Sequence, residues 1–72
     1  MNKIYVVTYG ADHEGIWDFE LFFEQTSAYV FAEETKTRLN SKRPWTSINN
    51  GSCVEEWTDG WQYVDIRLME IN

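Results

Sequence analysis

A chain of 72 residues with twelve acidic and six basic side chains, 43 % hydrophobic and 17 % aromatic, reads as one folded domain spanning 1–72. That composition excludes a disordered segment. A single cysteine excludes an internal disulfide, and no run approaches the ~18 apolar residues of a membrane span. Below roughly 70–80 residues one core seldom supplies more than ~3–5 kcal/mol. An aromatic-dense core, self-association, or both are therefore expected to support the fold.

Residues 4–9 are β-branched and aromatic and predict a first strand. The apolar run there is short and no small-residue cleavage site follows, so a cytoplasmic protein is expected rather than an exported one. Gly10 to Gly15 predicts a turn. Residues 16–25 alternate, with Trp17, Phe19, Leu21 and Phe23 on one side and Asp18, Glu20, Phe22 and Glu24 on the other. A period of two is the signature of a strand, and the two segments predict a hairpin.

Thr26 or Ser27 offers a helix N-cap. Ala28, Phe31, Ala32, Thr35 and Leu39 then recur at helical spacing. Glu33 and Glu34 precede Lys36, Arg38, Lys42 and Arg43, an order that suits the helix dipole. The helix is expected over 27–40, stopped by Asn40-Ser41 and Pro44. The last third carries two turn signals, Asn50-Gly51 and Asp59-Gly60. They divide a short segment (45–49), a middle strand (52–57) and a long last strand (61–70). A two-residue second loop would mix charge and core on both faces. A three-residue loop pairs Trp57 with Trp61 and puts Val54, Val64, Ile66 and Leu68 on one face. Glu55, Trp57, Trp61, Tyr63, Asp65 and Arg67 then share the other. Register follows the hydrophobic pattern where one face is buried, so the three-residue loop is the expectation. The fold class is α+β, ordered ββαβββ: an antiparallel sheet of four to five strands with one helix packed on one face.

Chemistry-bearing residues are sparse. Asp12-His13-Glu14 are adjacent in a turn and do not converge as the four ligands of a zinc site must. Cys53 falls in a strand pattern, where a free thiol behaves as a small hydrophobe. No phosphate loop, dinucleotide fingerprint or nucleophile elbow is present. The expectation is a chain that is not an enzyme and carries no metal, cofactor or catalytic residue.

Charge is unevenly placed. Lys36, Arg38, Lys42 and Arg43 lie within eight residues containing no acid, with Trp45 just beyond. Elsewhere twelve acids face two bases, Lys3 and Arg67, a net of −10. A cationic patch beside an aromatic could hold a nucleic-acid strand, but the surrounding field opposes phosphate. The carboxylates give the stronger signal. Asp18, Glu20 and Glu24 line one strand, and Glu55, Asp59 and Asp65 come from the second hairpin. Phe22, Trp57, Trp61 and Tyr63 lie among them, and aromatics beside charge compose interface hot spots.

The strand opening 3–9, the Glu14-Gly15 turn, the helix start 28–34 and the acidic, aromatic last hairpin together resemble small acidic accessory proteins of phages and other mobile elements. That resemblance implies an inhibitor of a host nucleic-acid-handling or defence protein, working in the bacterial cytoplasm, and carries over no catalytic residue. The expected function is thus a protein-binding module that docks an acidic-aromatic face on a basic protein as a hetero-complex. Two alternatives stand beside it. One is a nucleic-acid-binding accessory protein using Lys36, Arg38, Lys42, Arg43 and Trp45. The other is a homodimer of structural role.

Overall fold

The computed structural model describes residues 2–48 and 54–71. In chain order it contains β1 (Asn2–Ala11), β2 (Gly15–Phe22), α1 (Gln25–Leu39), β3 (Thr46–Ile48), β4 (Glu55–Thr58) and β5 (Gln62–Ile71). The five strands form one antiparallel sheet in the order β2-β1-β5-β4-β3, so the last strand returns to lie beside the first. The α+β class and the ββαβββ order are therefore as expected. The Asn50-Gly51 turn, the first residues of the expected middle strand and Cys53 lie outside the described residues. Among those described, no helix is long and apolar enough to cross a membrane.

Helix α1 starts two residues earlier than its capping signals suggest. Glu24 takes the N-cap position with extended backbone, and no side chain caps the helix there. The C-terminal end is as read: Asn40 adopts the left-handed conformation (φ 51°) and its N–H donates to the Thr37 carbonyl. The stripe holds as well. Ala28, Ala32 and Thr35 are buried, and Phe31 and Leu39 are half-buried beside them. The Thr35 hydroxyl donates to the Phe31 carbonyl at 2.8 Å, so its burial leaves no orphaned polar group.

The core is narrow. Val7, Val64 and Ile66 meet Ala28 and Ala32, all fully buried. Alanines at the crossing let the helix approach the sheet closely. Larger side chains form a rim around them: Tyr5, Tyr9, Phe22, Tyr29, Phe31 and Trp57. A helix is ~10 Å across and strands are spaced at ~4.8 Å, so α1 covers little more than two strands. It lies mainly over β1 and β5 and reaches β2 less.

Directly paired residues in an antiparallel sheet point to the same face. Val7 pairs with Ile66 and Tyr9 with Val64, which fixes the helix side. On β4 the pairing is Glu55 with Ile66 and Trp57 with Val64. This corrects the expected three-residue loop and its face assignment. Trp57 and Glu55 lie on the helix side; Tyr63, Asp65 and Arg67 lie on the other. Turn chemistry and packing decide the register. The Asp59 carboxylate accepts the backbone N–H groups of Trp61 (2.9 Å) and Gln62 (2.6 Å), while the Thr58 hydroxyl donates to the Gln62 carbonyl (2.8 Å). Gly60 supplies the positive φ of 102° that the turn requires. Trp57 then packs edge-on against Tyr29, ring centroids 6.1 Å apart.

The same turn carries a pH dependence. Burial pushes the Asp59 carboxyl up, but the Ser41 hydroxyl and the Trp61 and Gln62 N–H groups outweigh it and hold the group below its ordinary value. A lowered folded pKa stabilises the fold above the ordinary carboxylate range, and the contribution is lost as pH falls through it. Thermal melts from about pH 6 down to about pH 3 should show Asp59→Asn already destabilised at the upper end. The variant should lose less on acidification than the parent. Parallel curves would show that this carboxylate makes no pH-dependent contribution.

Candidate protein-interaction surface

One helix leaves the opposite side of the sheet open. On β2 the alternation is resolved by pairing with β1: Tyr5 with Phe22, Val7 with Glu20, Tyr9 with Asp18. Phe22, Glu20 and Asp18 therefore share the helix side, and Phe19 and Leu21, opposite Thr8 and Val6, share the open side. The register slips between Tyr9 and Gly10, and Trp17 is the extra residue of the bulge. A bulge re-aims its side chain. Here Trp17 meets Trp61 at 6.1 Å and 70°, and its indole N–H donates to Glu14 at 3.1 Å. Asp12 N–H, in the first hairpin turn, donates to the Trp61 carbonyl at 2.9 Å. The two hairpin turns are thus tied together at one end of the sheet.

Along the open side run Ile4 and Val6 of β1, Phe19 and Leu21 of β2, and Met69 and Ile71 of β5. Phe19, Leu21 and Met69 are 55 %, 52 % and 57 % exposed. Farther across, toward β4, the same face turns polar. Asp65 is buried there, accepting the Thr8 hydroxyl, with Arg67 at 3.7 Å. Burial, with Asp65 and Asp12 nearby, pushes the Tyr63 hydroxyl above its ordinary pKa; Arg67 opposes this.

The expected acidic-aromatic face is not one face. Asp18, Glu20, Phe22, Glu55 and Trp57 are on the helix side, and Tyr63 and Asp65 are on the open side. Asp59 and Trp61 belong to a turn, and Glu24 stands at the start of α1. Phe22 is not exposed among carboxylates; it packs on Phe31, 5.3 Å between centroids. Asp18 and Glu20 are exposed because the helix does not reach over them. Sequence reasoning missed Phe19, Leu21 and Met69 as surface residues. An apolar alternation signals burial, and nothing local marks it as the uncovered side.

The basic cluster is divided among structural contacts. Lys36 Nζ sits 4.0 Å above the Trp57 ring and 2.9 Å from Glu33. The Arg38 guanidinium lies 5.6 Å from the Tyr9 ring and donates to its hydroxyl at 3.3 Å. Both cations close the aromatic rim of the core, their stems covering apolar surface. Trp45 packs against that core half-buried, while Lys42 and Arg43 are exposed. A polar depression of ≈ 320 Å³ lies beside them, lined by Glu33, Lys36, Thr37, Asn40, Ser41 and Trp45. Among the described residues no three His, Cys, Asp or Glu side chains gather as a metal site would need.

The chain matches no family model, no curated protein and no solved structure.

Proposed function

We propose that this chain is a non-enzymatic protein-binding module, a phage-type inhibitor of a basic host protein that handles nucleic acid or serves defence, and that it docks through the open side of its sheet. The supporting observation is the row of exposed apolar side chains on that side, Phe19, Leu21 and Met69 above all. Contiguous apolar surface on a small protein marks an interaction site. The chain's net charge of −6 steers it toward a positive partner. The contact is therefore apolar, and the acidic charge acts through the field of the whole chain rather than as an acidic docking face.

Affinity capture with the parent and with a Phe19→Ser/Leu21→Ser double variant tests this. A basic host protein should be retained by the parent and weakened about 30-fold or more by the variant, as for loss of a hot spot. Equal capture by both would remove the open side as the docking surface. Light scattering on the same samples addresses the homodimer. A parent dimer that the variant dissolves would make the open side a self-association surface instead.

A further inference from the structure

We infer that the edge of β2 takes a basic extended segment of the partner as a sixth strand, its lysines or arginines alternating with apolar residues. This rests on the protein-binding reading above and names what the partner presents.

Strand β2 ends the sheet, and seven of its eight residues are exposed. An edge strand offers a row of backbone donors and acceptors for pairing, and natural edges are usually blunted by proline, charged side chains, bulges, short length or a covering element. Residues 15–22 contain no proline, and their charges, Asp18 and Glu20, are both acidic; beyond the bulge at Trp17 the run 18–22 is regular, and α1 reaches β2 less than it reaches β1 or β5. The opposite edge, β3, is three residues long. Within β2 the Phe19 N–H donates to the neighbouring Asp18 carboxylate at 2.8 Å, a bond that a carbonyl of an added strand must replace.

The side chains then select the occupant. Asp18 and Glu20 stand on one side at i, i+2, about 6–7 Å apart, and Phe19 and Leu21 stand on the other. A second copy of β2 fits badly. Antiparallel pairings centred on residues 18 to 20 oppose Asp18 or Glu20 to a carboxylate of the other copy, and like charges directly opposite destabilise a sheet. Slipping by one residue sets carboxylates against Phe19 and Leu21. The same pattern matches a strand carrying cations at alternate positions and apolar side chains between them. Strand addition draws affinity from the main chain and specificity from alternate side chains, and the repulsion between copies excludes the wrong partner.

The probe is an eight-residue peptide alternating lysine and valine, titrated into the unmodified protein with tryptophan fluorescence as the signal. Three controls accompany it: the same peptide N-methylated at alternate amides, a block peptide of four lysines and four valines, and a peptide alternating glutamate and valine. The alternating basic peptide should bind at least tenfold more tightly than each control. Asp18→Lys/Glu20→Lys should invert the preference between the basic and acidic peptides. No binding, or equal binding of the N-methylated or block peptide, would overturn strand addition. In that event the Phe19/Leu21 dependence of host-protein capture separately decides whether the open side is still the docking surface.

Discussion

Ile66→Ala should leave much of the protein unfolded at room temperature. Ile66 is fully buried in β5, opposite Val7 of β1 and Glu55 of β4, and packs with Ala28 and Ala32 beneath the helix. Truncating a buried isoleucine costs about 2–5 kcal/mol through lost transfer energy and the cavity left behind. A domain of this size has about 3–5 kcal/mol in total. Its neighbours Val7, Val64, Ala28 and Ala32 are short or β-branched and fixed on the sheet and helix, so they refill the space poorly. Circular dichroism melts should show the midpoint falling by about 10 °C or more, at roughly 4–8 °C per kcal/mol for a domain this small. Leu21→Ser, on the open side, should stay within about 0.5 kcal/mol of the parent. Similar losses for the two would mean that Leu21 is as buried as Ile66, contradicting the assignment of sides.

Gly10→Ala should cost nearly as much for a different reason. A Cβ at Gly10 would lie 2.0 Å from the Gly15 carbonyl oxygen and 2.9 Å from the Ile16 Cα. Both are backbone, so no rotamer change relieves the clash. The strands are pressed together here because the register slips at this point. Forcing them apart should cost about 1–3 kcal/mol, as overpacking does. It should also draw Trp17 away from Trp61, so the near-ultraviolet dichroism of the pair should weaken. Gly15→Ala separates space from conformation, since Gly15 has φ 80° and nothing within 4 Å of an added Cβ. That variant should cost about 1 kcal/mol of left-handed strain and leave the tryptophan signal in place. An unchanged melt for Gly10→Ala would show that the bulge relaxes at little cost.

Most of the fold is legible along the chain, and the faces of its strands are not. The alternation in 16–25 does produce β2, and the stripe from Ala28 to Leu39 does produce α1. Both signals are local, set by backbone period and side-chain burial within one element. The second hairpin shows where local reading fails. Sorting apolar from charged residues favours Trp57 beside Trp61, whereas the chain pairs Trp57 with Val64. The resulting mixture of charge and core on each face is tolerated because each charge finds a local solution. Glu55 accepts the Ser47 hydroxyl near the sheet's β3 edge, and Asp65 accepts the Thr8 hydroxyl. Trp57 is drawn to the helix side by Tyr29 and Lys36, contacts between residues more than twenty positions apart.

The candidate surface divides in the same way. That one helix leaves a sheet face uncovered follows from the element count and from the width of a helix against the spacing of strands. Composition likewise establishes an acidic chain with more aromatic side chains than one helix can hide. Which residues occupy the uncovered side was a tertiary decision. Alternation in β2 defines two sets, Trp17/Phe19/Leu21 and Asp18/Glu20/Phe22, and is symmetric between them. Pairing with β1 breaks that symmetry, because Val7 must face the helix and brings Glu20 and its neighbours with it. The carboxylates thereby take the helix side of the strand beyond the helix's reach, and the apolar row is left outward.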